Sequence, residues 1–290
     1  MKKRLLLLPL LLLLGCADPA PPLPNLLVLG HAGSGFFTPL NPFNPRPPSS
    51  WAGVEHALNL GADGVEVDLQ LSQDSVPVLY HNQELETMTA TGRGCVSQLP
   101  AAQLTRLAYR GGPPYDWFHA EHLISFDTLL TRLSRRPGPF PRLHLDLHEQ
   151  DMCQPEGRRL TRVPALLRAL GRALTRHQVP AGRALLITIN LSTLQQARAL
   201  LPALPRAYEV AGGNNLAAAL HDAQAQQAEA IVLSSRSITP AQTAQVRAAG
   251  LRVVVFGGRS AGSIGRILAA RPDEVEVDNV GKLLKMQGRR

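Results

Sequence analysis

A closed (β/α)8 TIM-type barrel is the fold class that this 290-residue sequence predicts, on three observations. Short β-rich runs alternate with Ala/Leu/Arg stretches of helical spacing from residue 26 onward. Repeated strand-then-helix order calls for a parallel sheet. No shift in composition marks a second domain, so one closed barrel accommodates the runs better than an open, doubly wound sheet.

The chain begins "MKKRLLLLPLLLLLGC", with Lys2, Lys3 and Arg4 ahead of an apolar stretch. Residues 1–15 therefore read as a bacterial export signal. The stretch is too short to cross a bilayer of roughly 30 Å as a helix. Leu13, Leu14, Gly15 and Cys16 resemble the lipobox of bacterial lipoproteins, which implies cleavage before Cys16 and acylation of that cysteine; a simple uncleaved anchor is the alternative reading. Residues 16–25 are a proline-rich tether, and residues 26–290 are the barrel domain. The expected location is the cell envelope, on a membrane through the lipid.

The formal net charge is +8, of which three charges sit in the leader, and the remaining arginines are scattered rather than clustered. That pattern offers some attraction to anionic lipid surfaces and no nucleic-acid footprint. Export to an oxidising compartment permits a bond between Cys95 and Cys153, but spacing alone leaves a disulfide and two free thiols equally open.

The strands follow in order: "LLVLGH" at 26–31, "GVEVDLQ" at 64–70, "VPVLYH" at 76–81, "RLHLDLH" at 142–148 and "ALLITIN" at 184–190. "RAYEV" at 206–210, "AIVLSS" at 230–235, "RVVVFG" at 252–257 and "EVEVDN" at 274–279 complete the set. Helical spacing marks 161–178, 192–202, 214–227 and 240–249. Nine runs are one more than a barrel needs. Only Ser72 to Ser75 separate the second and third, too few for a helix, so these two form an extended β-hairpin that projects beyond the barrel. A long loop, residues 33–50, follows the first strand.

Side chains two apart on a strand share a face. Glu66 and Asp68 therefore point together, as do His144, Asp146 and His148. Val65, Val67 and Leu69 on one strand, and Leu143, Leu145 and Leu147 on the other, make the opposite faces helix-contacting core. The polar faces then point into the barrel, where unpaired carboxylates are costly and a divalent cation is the usual compensation. The hairpin brings His81 back to the region of Glu66 and Asp68.

The segments "LGHAG", "GADGVEVDLQLSQDSVPVLYHN" with "LETMTATGRG", and "LHLDLH" resemble the glycerophosphodiester phosphodiesterase family, a branch of the phospholipase-C-like barrels. The likeness is strong over about residues 28–98 and weaker to "EVEVDN". It implies hydrolysis of glycerophosphodiesters to an alcohol and glycerol phosphate, with His31 and His81 as the acid/base pair. It also implies one divalent cation, Ca²⁺ or Mg²⁺, on Glu66, Asp68 and Asp146. Alternatives on the same barrel are a phospholipase-D-like or inositol-lipid phospholipase, or a degenerate barrel that binds phosphate ligands without turnover.

Several positions depart from the family pattern. His-Arg becomes His31-Ala32, which removes a phosphate-binding guanidinium. Pro-Glu-Asn becomes Pro47-Pro48-Ser49. Glu-x-Lys becomes Asp146-x-His148, giving His148 a role at the substrate or beside the metal ligands. A late Trp-Thr-Val-Asn-like strand end becomes "VVFGG" at 254–258. In the 33–50 loop, Gly33 and Gly35 allow close approach to a phosphate and Arg46 is a replacement cation; the other reading is a proline-rich lid whose arginine faces water.

Overall fold

The structure, a computed structural model, describes residues 22–36, 46–110, 115–118, 120–211 and 215–289. Nine strands form one sheet: β1 (Leu27–Gly30), β2 (Gly64–Leu71), β3 (Pro77–Leu79), β4 (Arg142–Leu147), β5 (Ala184–Thr188), β6 (Arg206–Glu209), β7 (Ala230–Ser234), β8 (Arg252–Phe256) and β9 (Glu274–Val277). Eight of them are parallel, and the ring closes because β1 pairs with β2 on one side and β9 on the other. β3 pairs antiparallel with β2, Leu69 opposite Leu79, which is the expected hairpin outside the barrel. Ser72 shapes its turn by accepting the Val76 N–H at 2.9 Å and donating to Asp74.

Helices α1 (Trp51–Asn59), α2 (Ala101–Leu104), α3 (Tyr115–Phe118), α4 (Phe126–Ser134) and α5 (Val163–Arg176) are followed by α6 (Leu191–Leu200), α7 (Leu216–Ala225), α8 (Pro240–Ala248), α9 (Ala261–Ala270) and α10 (Val280–Met286). In α5, Val163, Leu166, Leu167, Leu170 and Ala173 are buried, the i, i+3, i+4, i+7 stripe of an amphipathic helix on a sheet. Each large member stabilises the fold by roughly 1.5–3 kcal/mol through burial. The core they enter includes Val65, Val67, Leu69, Leu143, Leu145 and Leu147, so the strand faces alternate as their sequence indicates. Among the described residues no helix is long and apolar enough to cross a membrane.

The inside of the barrel is divided. Leu185, Ile187, Ala207, Ala230, Val232 and Val254 form an apolar cluster from β5 to β8, whereas β2, β4 and β9 bury Glu66, Asp68, His144, Glu274 and Glu276. The parallel register sets Glu66 beside His144 and Asp68 beside Asp146.

Between β3 and β4 the chain builds a second, separate core from Val78, Tyr80, Leu85, Val96, Ala101, Leu104, Tyr109 and Leu123. Periodicity gives no sign of it, because its elements are single helical turns and isolated bridges. A Cys95–Cys153 disulfide ties this segment to the loop after β4, so of the two open readings for these cysteines the bonded one holds. The cysteines lie 58 residues apart, and restricting an unfolded loop of that length is worth about 4 kcal/mol in the chain-entropy account. The Cys95→Ser, Cys153→Ser double variant should lose about 2–4 kcal/mol in urea unfolding against the oxidised protein; a loss below about 0.5 kcal/mol would show that the bond constrains nothing.

Candidate active site

A cavity of about 510 Å³ opens at the C-terminal ends of the strands, lined by His31, Glu66, Asp68, His81, Asp146 and His148 among others. This is the end of a parallel barrel where strand termini and the following loops converge. All five residues expected to carry acid/base and metal chemistry reach it, together with His148.

β1 ends at Gly30 and delivers the next residue, His31, whose N–H still bonds the Val277 carbonyl at 3.2 Å. The ring Nδ1 lies 2.7 Å from Asp278 Oδ1, and Nε2 is 4.0 Å from Glu66 Oε2. The carboxylate partner raises the His31 pKa despite the opposing effect of burial. His81 follows β3 and is fixed by the backbone on both sides: Gln70, on the inward face of β2, donates to the carbonyls of Tyr80 at 2.8 Å and Asn82 at 2.7 Å. Its own Nδ1 meets Asn82 Oδ1 at 2.8 Å. Phe36 packs edge-on against both histidines, with ring centroids 5.1 Å from His31 and 4.7 Å from His81.

Glu66 accepts the Ala32 N–H on Oε2 at 2.5 Å, while its buried Oε1 has no hydrogen-bond partner among the described residues. Burial and the neighbouring Asp68 push its pKa well above the usual carboxylate range. Ala32 takes the left-handed φ of 44° to reach it, a cost that functional sites commonly carry. Asp68 goes the other way. Burial opposes its ionisation, but His148 Nε2 at 3.0 Å and the Ser49 hydroxyl at 2.6 Å hold it well below its ordinary value. Ser49 therefore supplies a donor to Asp68 from the altered Pro-Pro-Ser stretch. His148 also lies 3.5 Å from Asp146 Oδ2, and the two acids, against the effect of burial, raise its pKa well above 6.5.

Glu66, Asp68 and Asp146 can each turn one oxygen to within 4.8 Å of the others. An all-oxygen set with an unused buried oxygen suits a hard divalent cation. Asp68, His81 and His148 form a second such group, and the Asp68 to His148 pairing means that a cation and an imidazolium compete for Asp68.

The glycines and the arginine of the 33–50 loop stand apart from the other candidate residues. A side chain on Gly33 would meet the backbone nitrogen of Val54, and one on Gly35 the Asp278 carbonyl. Both have positive φ, so their freedom serves packing of the protein on itself. Neither they nor Arg46 lie in the cavity lining among the described residues, which contains no arginine or lysine. Residues 37–45 of that loop, and Cys16, fall outside the described residues.

Other functional candidates were missed. Glu209, at the end of β6, is pushed up to about 8 by burial and by Asp146 and Glu276. Glu149 accepts from Thr188 and Asn190. Glu276 binds His144 Nδ1 at 2.5 Å, and His144 Nε2 reaches Glu274 at 2.9 Å. Arg142 and Arg252 complete the ladder at Glu274. The alternation of "EVEVDN", read on its own as an inward polar face, carried the signal for Glu274, Glu276 and Asp278.

A parallel barrel with its titratable residues gathered at the strand C-termini is an enzyme type of barrel. The model of the glycerophosphoryl diester phosphodiesterase family matches residues 45–282, and the chain belongs to that family. Over 64 residues it is 44% identical to a Mycobacterium tuberculosis protein named for glycerophosphodiester phosphodiesterase activity, a match covering 22% of this chain and 23% of the relative. A solved Silicibacter pomeroyi protein described as a glycerophosphoryl diester phosphodiesterase superposes with a TM-score of 0.76 at 18% identity, covering 94% of this chain and 96% of the other. An Oleispira antarctica phosphodiesterase, solved with the product sn-glycerol-3-phosphate, gives 0.73 at 22% identity, with 90% and 96% covered. These two likenesses show the shared fold.

The ladder through His144 has a pH signature. His144 is fully buried, and its pKa is raised because its bonds to Glu274 and Glu276 outweigh desolvation. A raised folded-state pKa means that the contribution is complete below the unfolded value near 6.5 and is lost as pH climbs through the folded value. Removing one partner from a buried charge network costs about 3–5 kcal/mol. His144→Ala should therefore lose about that much at pH 6 in denaturant unfolding, with a deficit that shrinks in alkaline buffer. A deficit independent of pH would mean that the imidazole acts only by filling space.

Proposed function

We propose that the protein is a metal-dependent hydrolase of glycerophosphodiesters, yielding an alcohol and glycerol phosphate. The observation that carries this reading is the convergence of His31 and His81 with the Glu66, Asp68 and Asp146 oxygens on one cavity. A divalent ion held by those three carboxylates, Ca²⁺ or Mg²⁺, would neutralise the phosphoryl oxygens of a bound diester. His31 and His81 do the proton work: one takes a proton from the attacking oxygen, the other gives one to the departing alcohol. Gln70 keeps His81 on the cavity side of its hairpin, and the apolar lining of Phe36, Phe256 and Ile187 limits water around the reacting group.

The lack of arginine and lysine in the described lining favours one second reading, a barrel that binds cations or phosphate ligands without turnover. Activity decides between them. The purified barrel should release alcohol from glycerophosphocholine, lose that activity with excess chelator and regain it with Ca²⁺ or Mg²⁺. Asp68→Asn should abolish metal-dependent turnover, while His31→Ala and His81→Ala should each reduce kcat about 10²- to 10⁴-fold with metal affinity kept, as read by calorimetry. Metal binding without hydrolysis would establish the second reading, and full activity in chelator would remove the cation from the mechanism.

We also propose that the protein is exported and anchored through acylated Cys16. The support is the lipobox-like residues ahead of it and the proline-rich tether behind. Cys16→Ser should leave the protein unprocessed or free of membranes on fractionation; normal cleavage and continued membrane association would overturn the anchor.

A further inference from the structure

We infer that Asp278, braced by Arg259, is the positioning residue that holds His31 with its proton on Nδ1 and Nε2 presented to the cavity; the kinetic part of this inference rests on the function proposed above. An ionised carboxylate has only acceptors to offer, so the 2.7 Å contact between His31 Nδ1 and Asp278 Oδ1 requires the imidazole to donate. In the neutral imidazole that choice leaves Nε2 without its proton, on the side of the ring facing Glu66 across 4.0 Å.

The two oxygens of Asp278 have separate partners. Oδ1 takes His31, and Oδ2 takes the Arg259 Nε at 3.1 Å. Against the effect of burial, His31 and then the guanidinium hold the carboxylate below its usual range, and engaging both oxygens stops it rotating away. The Asp278 side chain is only 9% exposed, while Arg259 is 53% exposed, so the brace reaches in from the surface.

Both residues stand one position ahead of a helix N-cap, where the backbone is fixed. Ser260 caps α9 by accepting the Ser263 N–H, and Asn279 caps α10 by accepting the Lys282 N–H. Asn279 also donates to the Arg259 carbonyl at 3.3 Å, which joins the two caps. The "VVFGG" strand end now has a reason. Gly257 and Gly258 have φ of 97° and 102°, a conformation that glycine adopts without strain, and a side chain on Gly258 would run into Ile267. The turn they make delivers Arg259 to Asp278. Among the described residues, His81 Nδ1 meets a neutral amide oxygen, that of the adjacent Asn82, where His31 meets a carboxylate.

The test reads His31 directly. In the metal-free protein, ¹⁵N-labelled histidine spectra should show His31 protonated on Nδ1. Asp278→Asn keeps the size but can donate where the carboxylate only accepted, and should move the proton to Nε2. The same variant should lower kcat on glycerophosphocholine on the order of 10²- to 10⁴-fold, as a misplaced tautomer does in other histidine enzymes, with KM within about twofold. Arg259→Gln, an exposed change that leaves packing intact, should loosen the His31 signal and cut kcat several-fold, and Arg259→Lys should restore most of it. An unchanged His31 tautomer and kcat in Asp278→Asn would overturn the inference. Were that variant unable to fold, an unchanged His31 signal and kcat in Arg259→Gln would do so. A wild-type protein without phosphodiesterase activity would sink the proposed function, yet the spectra would still decide what Asp278 does.

Discussion

The structure depends on compensating acids inside a barrel. Glu66, Asp68, Glu274 and Glu276 are each at most 2% exposed, and a lone charge in such a place is far too costly to keep. The protein answers differently at the two ends of the interior. Toward the strand N-termini, Arg142, Arg252 and His144 meet Glu274, which settles at a pKa of about 2. Toward the C-termini, His148 charges against Asp68 and Asp146, and Glu66 is left with its pKa raised and one oxygen unused. The uncompensated remainder sits at the mouth, where a cation can arrive from solvent.

That gradient explains why the chain can lack the guanidinium expected after His31 and the lysine expected after Asp146 without collapsing electrostatically. The bond that Glu66 accepts at position 32 comes from the backbone N–H and does not depend on the side chain there. His148 supplies the positive charge near Asp146, but with a carboxylate on either side of it. The consequence is a described cavity lining that holds acids and histidines and no fixed arginine or lysine.

The barrel was legible because its strands alternate and its helices carry apolar stripes. Glu66, Asp68 and Asp146 announced themselves as acids on faces whose reverse sides are pure Val or Leu. His81 was legible because so short a connection between two strands admits only a hairpin. Glu209 could not be read this way, being a single acid at a strand end; Asp278 shares the alternation of Glu274 and Glu276, but only ring closure brings it to a histidine 247 positions away. Gly33 and Gly35 were ambiguous for a physical reason, since a glycine beside a phosphate and a glycine beside another backbone leave the same mark in a sequence. The segment between β3 and β4 was opaque because its order comes from a small core of distant residues and a disulfide, with no repeating local pattern.

That small core is not continuous with the one beneath the helices. Cooperative units of this kind open with their own free energies, so the segment can unzip while the eight-stranded ring stays shut. His81 lies at the junction, following β3 and anchored to β2 through Gln70. In hydrogen-exchange terms, the two histidines of the proposed mechanism would then span two foldons: His31 on the barrel, and His81 on a segment tied across to the loop after β4 by the Cys95–Cys153 bond.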